Sequence, residues 1–312
     1  MSQPAQLGTG KYEKLLERCE GLEPVPTAVV HPCEANALQG AVEAGNRGLI
    51  VPILVGPQKA IEQTASEAGI DLGNSQIVDV PDSRASAAKA VELVREAKAE
   101  ILMKGSLHTD ELMSAIVSKE KGLRTNRRIS HAFLMDVPTY HKVLVITDAA
   151  INIAPTLEDK VDIVQNAIDL AISLGRELPK VAILAAVETV TSKMPATLDA
   201  ASLCKMAERG QIKGGILDGP LAFDNAISKQ AAETKGIKSE VAGDPDILLA
   251  PDLEAGNILA KQLSFLANAD GAGMVLGARV PVILTSRADS VRSRIASCAV
   301  AALVAHARRK AL

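Results

Sequence analysis

Short apolar runs alternate with helix-length amphipathic stretches almost from one end of this chain to the other, and that alternation decides the fold class. The apolar runs fall at residues 27–31, 49–55, 76–80, 100–103, 132–136, 142–147, 181–186, 215–217, 247–250, 273–276 and 282–285. They are built largely from Val, Ile, Leu and Ala, as strands buried on both faces must be. Between them, residues 34–44, 59–68, 83–98, 158–174, 196–209, 254–267 and 290–309 have the length and pattern of helices. Strand, helix and strand at this spacing predict an α/β chain of mainly parallel sheets with helices on both faces.

Two places break the rhythm. Only Val137–Tyr140 and His141 separate the runs 132–136 and 142–147. Parallel neighbours need a crossover of a dozen residues or more, so these two are antiparallel or lie in different sheets. The runs 273–276 and 282–285 repeat the situation near the C-terminus. We read the two places as crossings between domains, with the last helix returning to the first. The expectation is a discontinuous first α/β domain of residues 1–136 plus 278–312 and a second of 137–277.

Composition narrows the partners. The 312 residues carry a net charge of −3, without the basic surface that nucleic-acid binding needs. There is no Trp, with two Tyr and three Phe, so base-stacking platforms are hard to build and the core must be aliphatic. The four cysteines, Cys19, Cys33, Cys204 and Cys298, show no paired spacing and read as reduced core thiols. The N-terminal stretch is polar, and no apolar run nears the ~20 residues of a membrane span, so a cytoplasmic protein with no membrane partner is expected.

In open α/β sheets ligands bind beyond the carboxyl ends of the strands, so the loops there hold the candidate site. Lys104-Gly105-Ser106-Leu107-His108-Thr109-Asp110 leads into a helix, where free N–H groups favour an anion; the plainer reading is a cap at Thr109 or Asp110. Thr147-Asp148-Ala149-Ala150-Ile151-Asn152 follows another apolar run. In Asp218-Gly219-Pro220-Leu221-Ala222-Phe223-Asp224-Asn225, two carboxylates flank a Gly-Pro turn at a strand tip, as a cation site or as a helix cap. Thr285-Ser286-Arg287-Ala288-Asp289-Ser290 sets a hydroxyl, a guanidinium and a carboxylate ahead of the last helix. Arg would clamp a phosphate and Ser would donate to developing charge, unless Asp289 or Ser290 is simply the cap.

Other motifs fail. Gly271-Ala272-Gly273 resembles a dinucleotide fingerprint, but the residues after it read as strand where a helix is needed. There is no nucleotide phosphate loop, no G-x-S-x-G elbow and no zinc spacing among the five His residues.

Taken in order, Thr147–Asn152, Asp218-Gly219-Pro220-Leu221, Ala250-Pro251-Asp252-Leu253-Glu254-Ala255-Gly256-Asn257 and Pro281–Arg287 resemble the phosphate acetyl- and butyryltransferases, and the likeness runs from about Thr27 to Ala305. The resemblance implies two α/β/α domains with an active-site cleft between them, and a homodimer. It implies acyl-CoA + phosphate ⇌ acyl phosphate + CoA by direct attack in a ternary complex, with no metal and no bound prosthetic group. Ser286 would stabilise the transition state, Arg287 would neutralise phosphate, and Asp289 is the nearest carboxylate to serve as base. The substrate-binding candidates are Lys104, Gly105, Thr109, Asp148, Asn152, Asp218, Asp224, Asn257, Arg127 and Arg128. Arg292 and Arg294 join Arg127 and Arg128 as cations for the phosphates of CoA.

This chain departs from the acetyltransferase branch at two points. That branch has an Asp where Ser293 stands and an Arg where Met113 stands. Ser286-Arg287-Ala288-Asp289-Ser290 looks closer to the butyryl side, or to acetyltransferase-like domains fused to enoyl-CoA hydratases. Two alternatives follow: a non-catalytic acyl-CoA or acyl-phosphate binding protein, motivated by Ser293, and a metal- and NAD-dependent hydroxyacid dehydrogenase with a cation at Asp218 and Asp224.

Overall fold

The computed structural model describes residues 10–286 and 289–311. In chain order its elements begin α1 (Lys11–Glu17), β1 (Val25–Val30), α2 (Ala35–Asn46), β2 (Ile50–Gly56), α3 (Gln58–Ala68), β3 (Gln76–Asp79), α4 (Ser83–Arg95), β4 (Ile101–Lys104) and α5 (Thr109–Ile116). There follow β5 (Ser130–Asp136), β6 (Leu144–Thr147), α6 (Leu157–Ser173), β7 (Lys180–Leu184), α7 (Pro195–Glu208), β8 (Ile216–Leu221), α8 (Phe223–Ile227), α9 (Lys229–Thr234), β9 (Ile247–Leu249) and α10 (Leu253–Leu266). The chain closes with β10 (Asp270–Leu276), β11 (Val282–Ile283) and α11 (Val291–Ala311). Each apolar run singled out in the sequence overlaps a strand, so the chain is α/β as expected.

Two compact units divide the chain: Tyr12–Arg127 with the segment from Ala272 onward, and the middle stretch Arg128–Gly271. These breaks precede the expected ones at 136 and 277. The physical reason is β5, which pairs antiparallel with β6, Ala132 opposite Thr147 and Met135 opposite Leu144. It therefore builds the middle unit's sheet, where the order is β5-β6-β9-β7-β8 and the other neighbours are parallel. Its core gathers Met135, Tyr140, Leu144, Ile146, Ala182 and Leu248.

The flanking unit's order is β3-β2-β1-β4-β11-β10. β1 is parallel to both β2 and β4, and β11 is parallel to β4 but antiparallel to β10. The glycines of Gly271-Ala272-Gly273 lie inside β10, which explains why they open no nucleotide-binding helix. Helix α11 packs against α2. Its buried face repeats at helical spacing through Arg294, Ser297, Cys298 and Ala301.

Caps fix several helix starts. The Asp82 side chain accepts from Ala85 N–H at 2.8 Å at the head of α4, and Asp252 does the same for Ala255 at 2.8 Å at the head of α10. Thr156 and Asp159 exchange hydrogen bonds at the head of α6. No helix among the described residues is long and apolar enough to cross a membrane.

Candidate active site

In the flanking unit the chain leaves β1 toward β2 on one side, while β4 lies on the other. That reversal makes the crevice between the carboxyl ends of β1 and β4 the natural ligand position. Register sets Val30 of β1 beside Lys104 of β4, with Ile283 of β11 beside Met103. The loops that follow are laced together. Gly105 N–H donates to Val30 O at 2.8 Å, and Ser106 Oγ donates to His31 O at 2.7 Å while accepting from Cys33 N–H at 3.1 Å. A Cβ at Gly105 would lie 2.3 Å from Val30 O and 2.5 Å from His31 O, so only glycine lets the two loops meet.

Lys104 is 4% exposed, its Nζ reaching Gly105 O at 3.5 Å. The turn after β11 stands in the same neighbourhood. Ser286 is exposed, and its backbone is held at both ends. Its N–H donates to Asp289 Oδ2 at 2.7 Å, and its carbonyl accepts from Asp289 N–H at 3.1 Å and from Arg294 Nη2 at 3.0 Å. Arg294 Nη1 donates to Thr285 Oγ1 at 2.6 Å. Burial pushes the Asp289 carboxyl above its ordinary range, against the pull of the Ser286 N–H and of the Arg294 and Lys104 charges. The cap of α11 is Ser290, whose Oγ accepts from Ser293 N–H at 3.1 Å. Arg287 lies outside the described residues.

Of the other candidates in this unit, Thr109 is exposed in the first turn of α5. The cap is His108 rather than Thr109 or Asp110, because Glu111 reaches back to accept from His108 N–H at 3.3 Å. Arg127 is half-buried, its N–H donating to Thr125 Oγ1 at 3.1 Å. Arg292 lies 3.6 Å over the Tyr12 ring and 3.2 Å from Glu13, a paired cation at the foot of α1.

The middle unit gathers Arg128, Asp148, Asn152 and Asn257 at the carboxyl ends of β6 and β9. The two oxygens of buried Asp148 accept from the N–H groups of His131, Ala150, Ile151 and Asn152 and from the Asn152 side chain at 2.5 Å. Asn152 Oδ1 accepts in turn from Arg128 Nε at 2.6 Å, and Arg128 Nη1 pairs with Asp159 at 2.9 Å. Asn257 Nδ2 donates to Ala149 O at 2.9 Å, and a Cβ at Gly256 would lie 2.4 Å from Asp148 O. This network gives the loop one shape, with Asp148 as its organiser.

The Asp218 segment differs from the expected turn. β8 runs on through Asp218-Gly219-Pro220-Leu221, so Asp218 belongs to the strand, with Oδ1 accepting from Gly219 N–H at 2.9 Å. β8 is the last strand of its unit's sheet, where Pro220 costs no ladder bond. Asp224 instead pairs with Lys235 at 3.2 Å, and Lys235 also holds Glu188 at 3.1 Å. Among the described residues no cluster of three His, Cys, Asp or Glu could hold a metal ion. Arg294, expected as a cation for the phosphates of CoA, is 1% exposed beneath the Ser286 turn, with two of its nitrogens bonded to that turn. His31 and Cys33, which shape the crevice with Ser106 of the singled-out loop, carried no motif of their own.

This mostly parallel α/β unit sets an exposed hydroxyl and two buried cations beyond the carboxyl ends of β4 and β11, the end of the sheet where α/β enzymes hold their ligands. The family model for phosphate acetyl/butaryl transferase matches residues 83–302. A phosphate acetyltransferase of Rhizobium meliloti is 62% identical over 308 residues, 99% of this chain and 97% of its own length. A phosphate butyryltransferase of Clostridium acetobutylicum is 41% identical over 94% of this chain and 98% of its own. Among solved structures, a branched-chain phosphotransacylase from Enterococcus faecalis V583 superposes with a TM-score of 0.77 at 30% identity, over 90% of this chain and 99% of that one. The chain belongs to the phosphate acetyl/butyryl transferase family, the one its loops resemble.

Proposed function

We infer that this chain is a phosphate acetyltransferase, catalysing acetyl-CoA + phosphate ⇌ acetyl phosphate + CoA. The observation that carries the reading is the turn after β11, where an exposed Ser286 is pinned through its backbone beside the buried cations Lys104 and Arg294. The likeness to the R. meliloti acetyltransferase across nearly the whole chain favours acetyl over butyryl.

A phosphate oxygen attacks the thioester carbonyl carbon, the C–S bond breaks and CoA leaves as thiolate. Ser286 donates to the oxyanion that forms on the carbonyl oxygen, and Arg287 balances phosphate charge. In reverse, Asp289 takes the proton of the CoA thiol, and sulfur displaces phosphate from the acyl carbon. Thioester and acyl phosphate have similar transfer potential, so holding two anionic partners in line supplies much of the acceleration, up to ~7–11 kcal/mol. Arg127, in the same unit as Ser286, serves the phosphates of CoA, and Thr109 lines its approach.

Direct transfer fits the thiols better than an acyl-cysteine. Burial pushes Cys19 up to about 11, Cys204 and Cys298 up to about 12, and Cys33 above its ordinary value, so none is a ready thiolate. No metal or prosthetic group enters a step, and the enzyme works as a cytoplasmic homodimer.

Steady-state kcat/KM with acetyl-, propionyl- and butyryl-CoA tests the substrate. The reading expects acetyl-CoA to lead; butyryl-CoA in front would move the chain to the butyryl branch.

A further inference from the structure

A buried arginine at the foot of a reactive turn needs a reason. Arg294 sits on the buried face of α11, where packing alone would be served by an apolar side chain at no desolvation cost. Two of its three nitrogens are spent on one short piece of backbone and side chain: Nη1 on Thr285 Oγ1 at 2.6 Å and Nη2 on Ser286 O at 3.0 Å. Its Nε finds no hydrogen-bond partner among the described residues, an unsatisfied group that packing did not remove. Helix α2 keeps space for it. A Cβ at Gly40 would fall 2.8 Å from Arg294 Cδ and 2.9 Å from its Cβ.

We propose that Arg294 is a positioning residue for phosphate acyl transfer, its guanidinium holding the Thr285–Ser286 turn from beneath so that the Ser286 hydroxyl and the Asp289 carboxylate keep their reactive places. The proposal rests on the acyltransferase reading. Arg294 touches no substrate; it acts through the turn, and through charge. The groups facing Asp289 are Arg294 and Lys104, both cations, and those facing Arg294 are Asp289, Glu34 and Cys298. Removing the Arg294 charge lets the Asp289 pKa rise, so the acid limb of a reaction that needs its carboxylate moves to higher pH.

The test is steady-state kinetics of acetyl-CoA synthesis from acetyl phosphate and CoA, across pH, for wild type, Arg294→Met, Arg294→Lys and Gly40→Ala, with thermal unfolding on the same samples. For Arg294→Met we expect kcat to fall about 10²-fold, the loss that follows a small misplacement of a reacting group. Both KM values stay near wild type, the unfolding midpoint changes little, and the acid limb shifts upward. Arg294→Lys returns the limb but only part of kcat, since one ammonium cannot make both bonds. Gly40→Ala lowers kcat without weakening α2, because alanine is the better helix former.

Wild-type kcat in Arg294→Met, or a rise in KM alone, overturns the proposal. If Arg294→Met does not fold, Gly40→Ala decides, and full kcat there overturns it too. An active wild type with unaffected variants sinks this proposal alone. A folded wild type with no turnover sinks the acyltransferase reading and the proposal with it.

Discussion

Gly105 shows how little space the reactive crevice leaves. With a Cβ 2.3 Å from Val30 O, Gly105→Ala must push the loop after β4 away from β1. The expected cost is about 1–3 kcal/mol of stability with a loss of kcat/KM, checked by denaturant unfolding and kinetics. Cys33 offers a second test at this scale. Its thiol is raised by burial beside the crevice, so label from radioactive phosphate should not enter acetyl phosphate in the absence of CoA. Exchange without CoA would reveal an acyl-enzyme instead. Positions with a local signature were legible: Gly105 directly after a strand, and Ser286 ahead of the last helix. Arg294 was read as a cation for the phosphates of CoA, although its spacing to Ser297, Cys298 and Ala301 places it on the buried face. His31 and Cys33 could not be found, because only the pairing of β1 with β4 brings them to the crevice.

At the scale of elements, the cap of α10 links sequence to site. Asp252 anchors the first turn, and the same turn carries Gly256 against Asp148 O and Asn257 onto Ala149 O. Asp252→Ala should cost ~1 kcal/mol and loosen the Asp148 loop, read as faster hydrogen exchange at Ala150 and Ile151 with little change in far-UV helicity. Strands and long helices were legible because Val- and Ile-rich runs and helical periodicity are dense local signals. The short helices α8 and α9 were not, since five or six residues are too few to show a period. β8 was cut short at Leu217 because Gly219-Pro220 carries the signature of a turn; the position of β8 at the end of its sheet, which permits proline, is not written locally.

At the scale of the molecule, the middle unit is tied at the amino ends of its strands by charge. Burial raises the Asp244 carboxyl, but hydrogen bonds from Lys180, Lys142 and His141 prevail and hold it well below the usual carboxylate range. A folded value below the unfolded one, roughly 3.9, means this stabilisation is complete above that pH and is lost as pH falls toward the folded value. Because the side chain is 40% exposed, screening leaves it on the order of 1 kcal/mol. Asp244→Asn should therefore lower the unfolding midpoint at neutral pH and flatten its decline below about pH 4. Domain boundaries belong to this scale as well. The break before β5 follows from its antiparallel pairing with β6, one of two arrangements the short connection allowed.

The central claim is phosphate-dependent acyl transfer through Ser286, and the initial rate of CoA release from acetyl-CoA against phosphate concentration, for wild type and Ser286→Ala, tests it most directly. The account predicts saturable dependence on phosphate, no release without it, and a kcat about 10²–10³-fold lower in Ser286→Ala with KM little changed. Release independent of phosphate, or a folded Ser286→Ala protein with undiminished kcat, would contradict it.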